Sequence, residues 1–183
     1  KEWFDAKSRV GGTKNVDFEK IAELKPDIII GNKEENSKED IDRLEKEYSV
    51  WMSDIFTLED ALEMIFEVSN FTNTKDKGLE ILQDIAKSKK AFNEPKDLKK
   101  AVYLIWNDPY MIVGKNTFID DMLFHAGFLN IVMADRYIEV TKEQLIRLNP
   151  DVVLLSSEPF PFKQKHVEKI QELLPNTEVE IVD

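Results

Sequence analysis

The sequence predicts an α/β protein of two similar lobes with parallel sheets, one on each side of a helical middle. Three observations carry this. Short apolar runs alternate with amphipathic stretches along most of the 183 residues, the pattern of repeated strand–helix units. The strand runs are continuously apolar, as in Asp-Ile-Ile-Ile-Gly at 27–31, which suits a sheet covered on both faces. Finally, residues 16–27 recur at 140–151, an offset of 124, with identities at Val16/Val140, Glu19/Glu143, Leu24/Leu148, Pro26/Pro150 and Asp27/Asp151. An apolar strand follows in both copies, and the register holds as far as Glu34 and Glu158. Helix–Pro-Asp–strand is also generic in α/β proteins, so on residues alone the repeat reads either as reuse of a common unit or as two matched lobes.

The elements are expected in this order. Residues 1–15 are irregular, with a turn at Gly11-Gly12. Asp17 caps a helix with Phe18, Ile21, Ala22 and Leu24 on its apolar side, and Pro26 punctuates its end. A strand at 27–31 leads into the polar loop Lys33-Glu34-Glu35-Asn36. Ser37 with Asp40 resembles a capping box for a helix reaching about Glu47. A strand at 49–52 follows, then a helix from Thr57 to about Phe71 and another over 75–92, weakened near its start by Gly78. Asn93-Glu94-Pro95-Lys96 ends the helical section. Beyond it come a strand at 101–106, a loop at 107–116, a helix over 117–125 stopped by Gly127, and a short strand near 130–133. The chain finishes with a helix at 141–148, a strand at 152–155, a helix at 163–174 and a strand at 178–182. The division expected is an N-terminal lobe at 1–73, a connecting helix at 74–94 and a C-terminal lobe at 95–183.

Composition narrows the function. The net charge is −11, and no basic footprint for nucleic acid is evident. Without cysteine, disulfides, thiolate catalysis and cysteine-ligated metal centres are excluded. No apolar run approaches the length of a membrane span. The first residues have neither a basic nor an apolar leader region, and the last form a strand-like run. Both ends read as cut, with the first strand and helix of the N-terminal lobe expected before Lys1.

In α/β sheets ligands sit beyond the carboxyl ends of the strands, and pockets favour domain boundaries. The loops 31–36, 107–114 and 156–162 hold that position, so a cleft between the lobes is expected. Trp106, Asn107, Tyr110 and Met111 combine aromatic faces, an amide and a thioether within one loop. Glu158 and Phe160 lie in Ser-Ser-Glu-Pro-Phe-Pro-Phe, where two prolines limit the entropy lost on binding. Trp106, Met111, Phe160 and Phe162 also read as core or sheet-end cover. Lys33, Glu34 and Glu35 are the first-lobe candidates, and solvated loop residues otherwise. Glu34 and Glu158, related by the repeat, offer carboxylates for a cation, the edge of a metal chelate or acid/base work. Glu19 and Glu143 each occupy a first helical turn, either as partners of the helix dipole or as paired anionic knobs for a basic partner.

Signs of catalysis are weak. Gly11-Gly12 lacks phosphate-loop spacing, and His125 and His166 stand apart without a triad or metal-ligand pattern. No catalytic residue and no resident metal or cofactor is assigned.

Three stretches resemble one family. They are Arg9-Val10-Gly11-Gly12-Thr13-Lys14-Asn15 with the Leu24-Lys25-Pro26-Asp27 element, Trp106-Asn107-Asp108-Pro109-Tyr110 with Gly114-Lys115-Asn116-Thr117-Phe118, and Ser156-Ser157-Glu158-Pro159-Phe160. Together they are similar to the vitamin B12, siderophore and haem group of solute-binding proteins of ABC importers, the helical-backbone metal receptors. The resemblance implies two Rossmann-like lobes joined by a long helix (the class III fold), with the N-terminal lobe incomplete here. It implies capture of a metal chelate between the lobes, no chemistry, and a periplasmic or cell-surface location. It also implies a monomer that docks on a permease dimer through one glutamate per lobe, here Glu19 and Glu143. The acidic loop residues disfavour an anionic chelate, which points to a cobalamin-like ligand. A non-transport binding or sensory module, and an enzyme on the same frame, are the alternatives.

Overall fold

The computed structural model describes residues 2–91 and 97–182. The expected helix stop at 93–96 and the last residues of the expected connecting helix lie outside them. The chain divides into two compact units, Lys1–Asp54 with Met64–Gly78 and Ile55–Glu63 with Leu79–Asp183.

The first unit holds α1 (Glu2–Ala6), β1 (Gly11–Gly12), β2 (Asn15–Val16), α2 (Phe18–Leu24), β3 (Ile29–Asn32), α3 (Lys38–Leu44) and β4 (Val50–Ser53). β1 and β2 form a small antiparallel ladder, Gly11 opposite Val16. The opening stretch is therefore more ordered than its composition implied. Gly11 has φ +92, and a Cβ there would lie 2.1 Å from the Asn15 carbonyl oxygen, so the turn requires glycine. β3 and β4 pair in parallel, Ile29 opposite Val50. Ile21, Ile41 and Leu44 form the core beneath, joined by Val10, Phe18, Tyr48 and Met52. Ser37 stands at the α3 N-cap, but its hydroxyl makes no capping bond; the expected capping box does not form.

The chain runs on through α4 (Leu58–Phe71) and α5 (Lys75–Ala91). Where sequence reasoning placed one helix between the lobes, the structure divides both α4 and α5 between the units. The α4 start is capped as its sequence implies. Asp60 Oδ2 accepts from the Phe56 and Thr57 amides at 3.0 and 2.9 Å, and the Asp60 amide donates to Thr57 Oγ1 at 3.1 Å. These bonds hold the Asp60 carboxyl below its ordinary pKa. Gly78 marks a close approach of α5 to α4: a Cβ there would meet the Ser69 Cβ at 2.4 Å.

The second unit adds β5 (Lys99–Asn107), β6 (Tyr110–Val113), α6 (Phe118–His125), β7 (Phe128–Asn130), β8 (Tyr137–Val140), α7 (Lys142–Leu148), β9 (Val152–Ser156), α8 (Gln164–Leu173) and β10 (Glu178–Val182). Its sheet runs β10-β9-β5-β6-β8, with β7 paired to the start of β5. β10, β9, β5 and β7 are mutually parallel along their ladders, whereas β6 runs antiparallel to both of its neighbours, β5 and β8. Parallel sheets were expected, and this one is mixed at one edge. The difference arises at Asp108-Pro109, which form a two-residue turn closed by the Asn107–Tyr110 pair, so β6 folds straight back along β5. Alternation along β5 and β9 sends Val102, Leu104, Val153 and Leu155 into one apolar cluster and Ala101, Val152 and Leu154 into another. Both faces of these strands are thus covered, as their unbroken apolar runs predict. The short strand lies at 128–130, ahead of its expected place. Asn130 ends it with a buried side-chain amide that donates to Asp120 Oδ1 at 2.9 Å and to the Val113 carbonyl at 3.2 Å.

The repeat is structural. α2–β3 and α7–β9 share the offset, and Ile21 and Leu145 are the buried residues of their helices. Both helices end on a left-handed residue, Lys25 at φ 46 and Asn149 at φ 46. Each continues into a further helix and a parallel strand, α3–β4 or α8–β10.

Candidate functional site

In the second unit the candidates gather at the carboxyl ends of β5 and β9, neighbouring parallel strands with Leu104 opposite Leu155. Trp106 is 38% exposed, and its indole N–H donates to the Asp108 carbonyl at 3.1 Å. Its ring meets Phe160 edge-on at 5.5 Å. Phe160 in turn meets Phe162 at 4.8 Å and His166 at 5.2 Å. The loop after β9 is fixed from within: the Ser156 hydroxyl donates to the Glu158 carbonyl and accepts from the Glu158 amide. Glu158 is exposed. The Asp108–Pro109 and Glu158–Pro159 peptides are both cis.

Asn107 and Met111 are half-buried, and Met111 pairs with Trp106 across the hairpin. Tyr110 does not lie in an open loop as expected. It begins β6 and is buried with Leu104, Ile112 and Leu145. Its hydroxyl is buried without a hydrogen-bond partner, and the Lys169 ammonium stands 5.7 Å from its ring centre. Alternation along β6 puts Tyr110 on the face of Ile112, and the register shift between Leu104 and Trp106 turns Trp106, opposite Met111, to the other face.

Sequence reasoning noted His166 but gave it no place in the site. It is 8% exposed and completes the aromatic cluster beneath Trp106. Its Nδ1 accepts from the Lys163 amide at 2.8 Å. A usable signal was its spacing of four residues from Ile170 on the buried face of α8. Burial, then the cations of Lys165, Lys169 and Lys163, push the His166 pKa below its ordinary 6.5. The unfolded chain therefore takes up a proton first as the pH falls. The stability linked to His166 is complete above about pH 6.5 and declines towards the lower folded pKa. Urea midpoints should thus fall between about pH 7 and 5, and His166→Gln should flatten that decline. An unchanged slope in the variant would refute the assignment.

In the first unit, the Asn32 side-chain oxygen accepts the Glu34 and Glu35 amides at 2.9 and 3.1 Å. Its side-chain amide donates to Ser53 Oγ at 3.2 Å, tying the loop to the end of β4. Lys33 pairs with Asp54 at 2.5 Å. Lys33, Glu34 and Glu35 are all exposed at the carboxyl end of β3.

Glu19 and Glu143 are exposed in the first turns of α2 and α7. Asp17 caps the first of these helices, accepting from the Lys20 amide at 3.1 Å. A reciprocal Thr141–Gln144 capping box starts the second, at 2.7 and 3.3 Å. A hydrogen bond from Thr141 lowers the Glu143 pKa, so this carboxylate is charged at neutral pH.

A two-unit α/β chain with strand-end aromatics and repeat-related anionic turns belongs to a class of two-lobed binding proteins, and comparison bears this out. Residues 1–180 match the periplasmic binding protein family; the chain belongs to that family. It is 28% identical over 173 residues to the uncharacterized ABC transporter substrate-binding lipoprotein YvrC of Bacillus subtilis, covering 86% of this chain and 53% of that protein. It is 25% identical over 158 residues to the Fe(3+)-citrate-binding protein YfmC of the same organism, covering 81% of this chain and 49% of that protein. The chain thus spans about half the length of these curated relatives. The crystal structure of the periplasmic vitamin B12 binding protein BtuF of Vibrio cholerae superposes with a TM-score of 0.79 at 18% identity, over 100% of this chain and 77% of that one. That likeness establishes two α/β lobes linked by long helices, the class III binding-protein fold. The family is non-catalytic. Among the described residues no helix is long and apolar enough to cross a membrane.

Proposed function

We propose that this protein is the substrate-binding component of an ABC importer, acting outside the cytoplasm, in the periplasm or at the cell surface. It captures a metal chelate, cobalamin or one of similar charge and size, and delivers it to a permease dimer. The observation that carries this reading is the repeated α2–β3 and α7–β9 unit, which places one exposed glutamate, Glu19 or Glu143, in the equivalent helical turn of each half. Trp106, Asn107, Met111, Glu158 and Phe160 contact the chelate from the second unit, and the buried Tyr110 anchors their hairpin. Lys33, Glu34 and Glu35 contribute from the first. The protein works as a monomer, and the chelate is cargo, not a resident cofactor.

Calorimetric titration with cyanocobalamin, haemin and ferric citrate tests this. Binding of cyanocobalamin is expected, and Trp106→Ala should weaken it roughly tenfold or more, since an exposed tryptophan seated on Phe160 is a strong anchor. Unaltered affinity in that variant would remove Trp106 from the site. Binding of haemin or ferric citrate alone would replace cobalamin as the cargo.

A further inference from the structure

We propose that Glu59, Asp121 and His125 form a zinc site in the second unit, independent of the strand-end site. One donor atom from each lies within 4.8 Å of the other two. Asp121 and His125 stand four residues apart on α6, and Glu59 comes from the first turn of α4, so two separate elements converge. His125 Nε2 lies 3.4 Å from Asp121 Oδ2. That is long for a hydrogen bond, but tetrahedral zinc with bonds of 2.0–2.1 Å sets neighbouring donors about 3.3 Å apart. One imidazole and two carboxylates are a nitrogen–oxygen set that zinc accepts, with water in the fourth position.

The surroundings hold the donors in place. The Leu58 amide donates to Asp121 Oδ2 at 2.8 Å, which fixes the carboxylate and joins α4 to α6. The Phe124 ring packs edge-on to the His125 ring at 5.9 Å. A favourable helix-end position and an intrahelical ion pair account for His125 and Asp121 alone. Glu59 brings a third donor from another helix, its carboxylate also accepting from its own backbone amide. The competing cation is Lys89, whose ammonium lies 3.4 Å from Glu59 Oε1, and zinc would displace it.

Equilibrium dialysis of the metal-stripped 183-residue chain against zinc chloride, read by elemental analysis, tests the proposal. One zinc per chain at micromolar affinity is expected. His125→Gln and Glu59→Gln should each weaken binding about tenfold or more. Glu59 is exposed, so its variant remains informative if the other fails to fold. Lys89→Met should tighten binding about two- to fivefold, the worth of a surface ion pair; a role of the cluster in fold stability alone would not move zinc affinity in this direction. Zinc held equally by His125→Gln or Glu59→Gln, or no zinc bound by the unaltered chain in the micromolar range, overturns the site.

Discussion

Replacing Glu19 and Glu143 together with alanine is expected to abolish docking on the proposed permease partner while leaving folding and affinity for the proposed chelate intact. Both side chains are exposed, and neither caps its own helix: Asp17 and the Thr141–Gln144 pair perform that task. Their removal therefore costs the fold little: a solvent-screened interaction with the helix dipole at each site and, at Glu143, an exposed hydrogen bond with Thr141. At an interface the balance differs. Truncating one partner of a desolvated, hydrogen-bonded charge pair costs about 2–5 kcal/mol, so two such losses at the low end weaken docking by roughly a thousandfold. Binding to the permease in nanodiscs, followed with circular dichroism and cargo titration as controls, measures this. Each single variant should lose an intermediate amount. Undiminished docking by the double variant would show that these glutamates are only first-turn residues.

The largest loss of stability is expected from Leu155→Ala. Leu155 has no solvent exposure and sits in β9 between Leu104 of β5 and Ile181 of β10. Its side chain belongs to the main cluster with Leu145, Phe162 and Ile170, which draws α7 and α8 onto the same face. Strands paired on both sides leave little freedom to collapse into the space vacated, so the cost falls in the upper range for leucine truncation, about 3–5 kcal/mol. That is a large share of an ordinary domain's stability. Leu155→Met, which nearly conserves volume, should cost less than about 1.5 kcal/mol. Denaturant titration of both variants measures the difference; a loss below about 1 kcal/mol for the alanine variant would mean the cluster repacks freely.

The parts of the fold legible in the sequence are those set by local rules. The Pro26-Asp27 and Pro150-Asp151 steps, the apolar strands after them and the offset of 124 located both halves of the repeat. Thr57 and Asp60 marked the start of α4 correctly because their capping bonds are local. What escaped depended on distant partners. β8 is short and follows Arg136, a residue with positive φ, so nothing periodic announces it; it exists because β6 offers an edge. Tyr110 reads as a loop aromatic until the two-residue turn is known, after which strand alternation buries it. The Glu59, Asp121 and His125 cluster is invisible along the chain, since 62 and 66 residues separate the glutamate from its companions. The strand-end aromatics were recognisable by type, but the packing of Phe160 between Trp106 and His166 was not.

The contact at Gly78 reverses a familiar rule of helix chemistry. Within an isolated α5, exchanging glycine for alanine would add about 1 kcal/mol of helix preference. Here the added methyl group has nowhere to go, because Ser69 already fills the space it needs. Whatever the change gains in backbone order it must spend in prising two helices apart. A sequence optimised for helicity alone would thus be a poorer solution for this protein than the one it carries.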